Sequence, residues 1–308
     1  MVTARATTIP PKAKSSRSGS GPYAVGLTTE TFTDSSRLTY PPHTTGAKPE
    51  LRTLLTYIRY PVEGVSNSDG EVANAHPAIR GGPFPLVVFG PGYNETPQLY
   101  GDLLDSWVRA GYVVAAPVFP LTGPDTPGGP YRADVVNQPA DISFVISQLL
   151  AQNMAPRALL GGSINSRLIA VAGQSDGAET AMAVAYNTCC QDKRVKAALI
   201  FSGAELQITR GSYYPPSSPP LLAIQGTADT INLPAYTNQL FSSAPPPKFM
   251  VSLVGADHLG PYTDDSRFEP IVARVSLDFL NSFLPGDPAA LGQLRLDATT
   301  RTTRLQTS

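Results

Sequence analysis

The chain has 308 residues, 42% of them hydrophobic and 15% charged, with a net charge of −1. That is enough apolar material for one full core plus tails. The near-neutral balance gives no basis for nucleic-acid or anionic-membrane binding, and no apolar stretch approaches the ~20 residues that span a bilayer.

Residues 1–22 are rich in Ser, Thr, Pro, Lys and Arg and hold no acid and no apolar run, which is the composition of a disordered tail. They lack the hydrophobic segment of a secretory signal. The chain as written is therefore expected in the cytoplasm, and outside the cell if a signal has been removed. Gly26–Thr33 alternates and is threonine-rich; with Leu51–Pro61 it is expected to form an antiparallel pair at a sheet edge. Pro85–Phe89 is the first strongly apolar strand, and Gly90-Pro-Gly-Tyr93-Asn94 follows it. Helices are predicted over Gln98–Ala110 and Val135–Gln152, the second starting at Pro139, where a proline is tolerated.

Arg167–Ala172 is a short apolar run, expected as a buried strand, and Ala178–Tyr186 is built of helix formers. Between them stands Gly173-Gln-Ser175-Asp-Gly177. G-x-S-x-G between a strand and a helix is the nucleophile-elbow pattern: the serine is exposed on a sharp turn, and the glycines let strand and helix approach. Cys189 and Cys190 are the only cysteines. Adjacent Cα atoms lie about 3.8 Å apart, below the usual disulfide range, so two free thiols are expected.

Val195–Phe201 and Pro220–Gly226 are further strand runs, and Asp229 follows the second. The loop between them, residues 202–219, is too short for the helical cap that such folds often insert there. An open cleft is expected, with the proline-rich segment Ser212–Pro220 as one wall. A helix over Leu233–Ser243 leads to the strand Lys248–Val254, and His258 lies in the loop after it. His258 is the only histidine beyond Ser175. A helix over Phe268–Phe283 closes the domain. The predicted division is a tail over 1–22, a catalytic domain over 23–290, and a polar tail over 291–308 that frays after about Asp297.

Ser175, Asp229 and His258 occur in the order of a hydrolase triad. A serine hydroxyl needs a base to take its proton, and His258 supplies one. Asp229 would orient the imidazole and stabilise its charged form; Asp257, next to the base, suits a turn instead. The oxyanion needs two fixed donors. The expected pair is the backbone N–H of Asp176 and that of Tyr93, with Asn94 as the alternative to Tyr93. Tyr93, Asn94, Leu206 and Tyr262 are the candidate substrate contacts. Metal-ligand spacing is absent, and Gly161-Gly-Ser163 lacks the lysine of a phosphate loop. No metal and no cofactor are expected.

The segments Gly90–Asn94, Gly173–Gly177, Gly226–Asp229 and Asp257-His258 together resemble the α/β-hydrolase superfamily. Within it they resemble the capless bacterial serine esterases: cutinases, chlorophyllase-like lipases, and relatives of platelet-activating-factor acetylhydrolase and dienelactone hydrolase. The resemblance covers residues 50–285. It implies an α/β-hydrolase fold: a mostly parallel, doubly wound sheet with an antiparallel N-terminal edge and no cap domain. It also implies a serine carboxylester hydrolase working through an acyl-enzyme. Two departures narrow it. The nucleophile is serine where dienelactone hydrolases carry cysteine. The loop Ser202–Arg210 has no tryptophan where cutinase-like polyester hydrolases carry one, which leaves Tyr93, Tyr213, Tyr214 and Tyr262 as aromatic candidates. The expected partner is a small-molecule or polymeric ester, with the chain a monomer. The other readings are an amidase or peptidase, a perhydrolase or acyltransferase on the same triad, and a non-catalytic binding protein.

Overall fold

The computed structural model describes residues 22–42, 46, 48–64, 70–207 and 210–308. All of the expected N-terminal tail except Pro22 lies outside them. Strand β1 (Ala24–Thr39) pairs antiparallel with β2 (Glu50–Val62), as the alternation predicts, and the short β3 (Glu71–Ala73) runs parallel along the outside of β1. Then come β4 (Phe84–Gly90), α1 (Gly101–Arg109), β5 (Val113–Pro117), α2 (Gln138–Asn153), β6 (Ile164–Gln174), α3 (Asp176–Tyr186), β7 (Val195–Phe201) and β8 (Leu221–Gly226). The chain finishes through α4 (Pro234–Ser243), β9 (Lys248–Leu253), α5 (Gly260–Thr263), α6 (Glu269–Phe283), α7 (Ala290–Asp297) and β10 (Thr303–Thr307). The sheet order is β10-β9-β8-β7-β6-β4-β5-β2-β1-β3. The centre, from β5 through β4 to β9, is parallel.

The central strands read as unbroken apolar runs because both of their faces are covered. Leu86, Val88, Ile169, Val171, Ala198 and Ile200 pack under α2, α3 and α4. Their neighbours Val87, Phe89, Ala170, Ala172, Leu199 and Phe201 pack on the other face under α1, α6 and α7. The lone tryptophan, Trp107 of α1, is fully buried there against Phe89 and Phe201, and its ring N–H donates to Ser276 Oγ at 2.9 Å. No helix falls between β7 and β8 among the described residues.

Two expectations need correction. Residues 291–308 are not a tail, and those after Asp297 are not frayed. They complete α7, which buries Leu294, and form β10, which pairs antiparallel with β9. The composition misled because β10 is an edge strand, whose polar outward residues look like loop. Cys189 and Cys190 are not free thiols but form a disulfide with each other across a Cα separation of 3.8 Å. They lie in the irregular turn after α3, held by Cys189 N–H on Asn187 Oδ1 and Cys190 N–H on the Asn187 carbonyl, each at 3.0 Å. A turn leaves two neighbouring side chains free to face each other, which a helix or strand would prevent.

Two local arrangements are tightly constrained. The buried Arg52 of β2 binds Asp134 at 2.8 Å and Asp141 at 2.5 Å, and Arg37 of β1 reaches Asp141 at 2.8 Å. At the elbow, Gly90 pairs with Gly173 across β4 and β6. A Cβ on Gly173 would strike the Gly177 carbonyl, and one on Gly177 would strike the carbonyl oxygens of Gly90 and Pro91. Backbone meets backbone there, so neither contact can yield.

Both arrangements are testable by equilibrium unfolding. Arg52→Leu removes the cation shared by two buried carboxylates, leaving Asp141 with Arg37 and Asp134 with Asn137, and should cost about 3–5 kcal/mol; a loss below about 1 kcal/mol would show that the cluster is solvated. Gly177→Ala should cost about 1–3 kcal/mol or more and abolish any activity that depends on Ser175. Unchanged stability would contradict the close approach.

Candidate active site

Ser175 sits between β6 and α3 with φ 55° and ψ −124°. Positive φ is costly for a side chain with a Cβ and persists only when the surroundings impose it. Here β6 fixes one side, the Ser175 N–H donates to the Phe201 carbonyl at 3.0 Å, and the Ser175 carbonyl accepts the N–H groups of Ala178 and Glu179. Asn94 (φ 62°), in the loop after β4, and Ser202 (φ 45°), directly after β7, also have positive φ.

The parallel strands deliver three side chains to one place at their carboxyl ends, where open α/β sheets bind ligands. Ser175 Oγ lies 2.9 Å from His258 Nε2, and His258 Nδ1 lies 2.8 Å from Asp229 Oδ2. All three residues are largely buried. Asp229 Oδ2 also accepts from Gln225 at 3.0 Å, while Oδ1 accepts the N–H groups of Ile231 at 2.9 Å and Asn232 at 3.0 Å. Burial pushes Asp229 upward, but the hydrogen bonds from His258, Ile231 and Gln225 outweigh it and hold the carboxyl below its ordinary range. An ionised Asp229 fixes the proton on Nδ1 and leaves Nε2 free to accept from Ser175. Asp257 accepts the Gly260 N–H at 2.9 Å and so shapes the turn beside His258.

Gly90 and Gly173 are paired, so the loops that follow them leave the sheet side by side. Asp176 is the first residue of α3, where N–H groups have no partner inside the helix and the helix dipole favours negative charge. The Asn94 N–H is already committed to the Thr122 carbonyl at 2.8 Å. The Tyr93 N–H has no backbone acceptor among the described residues, while the Tyr93 hydroxyl is pinned to the Pro130 carbonyl at 2.8 Å. The Asp176 side chain is held by Arg132, with contacts of 2.8–3.1 Å. Glu179, one turn on, is pushed up to about 7 by burial and by the charge of Asp176, against the pull of Arg132.

Two of the expected substrate contacts do not face substrate. Tyr262 is fully buried: its ring stacks on Phe201 with centroids 5.2 Å apart, and its hydroxyl is taken by Ser202 Oγ and the Ile224 carbonyl. An aromatic residue in an active-site loop served the core instead. Leu206 is buried against Val135 and Ala183, where it anchors its loop. Tyr213 and Tyr214 are half-buried, with their hydroxyls bound to the Leu206 carbonyl and to Glu205. Tyr93 and the exposed Asn94 remain at the rim.

The sequence reading missed the polar side chains beneath the site. Gln174, Ser202 and Gln225 are buried polar residues at the carboxyl ends of apolar strands, and each makes hydrogen bonds there. A polar residue closing an otherwise apolar strand run was the signal available for all three. Glu95, Tyr100 and Arg132 lie in loops or at a helix edge, and no pattern marks them.

Residues 66–203 match the family model described as Chlorophyllase. That stretch contains the loop after β4 and the elbow with Ser175; Asp229 and His258 lie beyond it. No curated protein sequence matches the chain. Among solved structures, a ferulic acid esterase from Streptomyces cinnamoneus is similar, with a TM-score of 0.70 at 20% identity. The similarity covers 94% of this chain and 98% of that one. The chain has the α/β-hydrolase fold, and the chlorophyllase match supports a carboxylic ester hydrolase.

Proposed function

We propose that this protein is a serine carboxylester hydrolase in which Ser175 is the nucleophile, His258 the general base and acid, and Asp229 the residue that orients His258. The observation that carries this reading is the unbroken pair of hydrogen bonds from Ser175 Oγ through His258 to Asp229. His258 Nε2 takes the hydroxyl proton as Oγ attacks the ester carbon. The carbonyl oxygen becomes an oxyanion that accepts the N–H groups of Asp176 and Tyr93. Collapse breaks the C–O bond, the alcohol leaves with the proton held on His258, and an acyl-Ser175 ester remains. Water, deprotonated by His258, attacks that ester and restores the hydroxyl.

The substrate reading is an ester whose alcohol or acyl partner is bulky, including polymer-borne esters. It is supported by the lack of a cap between β7 and β8 among the described residues. Ferulate esters join the test panel because the similar Streptomyces enzyme is a ferulic acid esterase.

The test is hydrolysis of p-nitrophenyl esters of increasing acyl length and of methyl ferulate, wild type beside Ser175→Ala and Asp229→Asn. Ser175→Ala should lose activity about 10⁴-fold or more, and Asp229→Asn about 10³–10⁴-fold. A folded wild-type protein that turns over none of these esters would overturn the reading, as would an active Ser175→Ala.

A further inference from the structure

Glu95, Tyr100 and Gln174 form one chain of side chains beneath the site. Gln174 Nε2 donates to the His258 carbonyl at 2.9 Å, which turns its Oε1 toward Tyr100. The Tyr100 hydroxyl oxygen lies 2.9 Å from Gln174 Oε1 and 3.2 Å from the Gly92 nitrogen, and is in closest contact with Glu95 Oε2. Tyr100 and Gln174 are fully buried and Glu95 is half-buried. Gly92 leaves the room for this arrangement, because a Cβ there would strike Glu95 and approach Gln174 Oε1 at 2.7 Å. The chain touches three loops: the one carrying Tyr93, the elbow, and the one carrying His258.

Counting protons decides its state. A phenol has one proton to donate. The Gly92 N–H already donates to the Tyr100 oxygen, so an ionised Glu95 and Gln174 Oε1 would compete for a single proton. Whichever loses, two oxygens would face each other at hydrogen-bond distance with no proton between them. With a proton on Glu95 every contact is satisfied. Glu95 donates to Tyr100, Tyr100 to Gln174 Oε1, and Gln174 to the His258 carbonyl.

We propose that Glu95 is held as the neutral acid and, through Tyr100 and Gln174, is a positioning residue for the Tyr93 loop, the nucleophile and the His258 loop. The charges around it are consistent with this. Burial holds the Glu95 carboxyl above the ordinary glutamate range and Asp176 pushes the same way, while the Tyr100 and Gly92 hydrogen bonds and the charge of His258 act against them. Ionisation breaks the hydrogen-bond chain and adds a negative charge near the place where the oxyanion forms. Both effects lower the rate.

The test compares wild type, Glu95→Gln and Tyr100→Phe from about pH 5 to about pH 9. Glutamine donates to Tyr100 as the neutral acid does, but cannot ionise. A raised carboxyl contributes stability that is present at low pH and is lost as pH rises through its folded value. Glu95→Gln should therefore match wild type in Tm at the acid end and exceed it at the alkaline end. Its kcat relative to wild type should rise about threefold or more across the same range, with KM unchanged. Tyr100→Phe should lower kcat about tenfold. A protonated-carboxyl C=O stretch should appear in the infrared difference between wild type and Glu95→Gln at about pH 5. The kcat readings rest on the esterase reading; the Tm and infrared readings do not, so an inactive protein still tests Glu95. A Glu95→Gln protein less stable by the same amount at every pH, or a missing infrared band, would overturn the proposal.

Discussion

Ser175 occupies a backbone conformation that a serine does not choose, and the rest of the site depends on that being enforced. The enforcement is steric. Gly90, Gly173 and Gly177 bring two strands and a helix into backbone contact, with no side chain between them. Strain of this kind costs about 1–3 kcal/mol, and it is offset by the buried sheet on either side of the turn. In return the hydroxyl stands clear of β6, and the N–H of Asp176 opens at the start of a helix.

The sheet does the remaining positioning. Parallel strands end together, so the loops after β4, β6, β8 and β9 converge from distant parts of the chain. The central strands contribute their apolar residues alternately to the two covered faces, and three of them close on something polar. Gln174 closes β6, Ser202 follows β7, and Gln225 lies at the end of β8. Buried and hydrogen-bonded, these residues tie the loops to one another. Asp229 shows the logic of the electrostatics: four donors on one carboxylate keep it charged where burial alone would neutralise it.

The strands and helices that bear the site were legible because each obeys a simple rule. Apolar runs of strand length mark β4, β6, β7, β8 and β9, and the elbow is a spacing constraint on small residues around a serine. The short β5 passed unnoticed between two helices. The edge strand β10 failed for a physical reason, since half of an edge strand faces water and its composition resembles a loop. Tyr262 failed for another: proximity in sequence to His258 says nothing about which way a ring points, and this one stacks on Phe201. The disulfide at Cys189 and Cys190 depends on local turn geometry that residue identity does not report. The chain Glu95–Tyr100–Gln174 is long-range in sequence and irregular in spacing, so only the folded arrangement reveals it.

The central claim is that Ser175 is a nucleophile activated by His258. The most direct measurement is to treat the folded protein with an active-site-directed fluorophosphonate and map the adduct by mass spectrometry, wild type beside His258→Ala. The account predicts a single phosphonyl group on the peptide containing Ser175, formed quickly in wild type and slowly or not at all without His258. Labelling of another residue, or labelling of Ser175 at the same rate when His258 is removed, would contradict it.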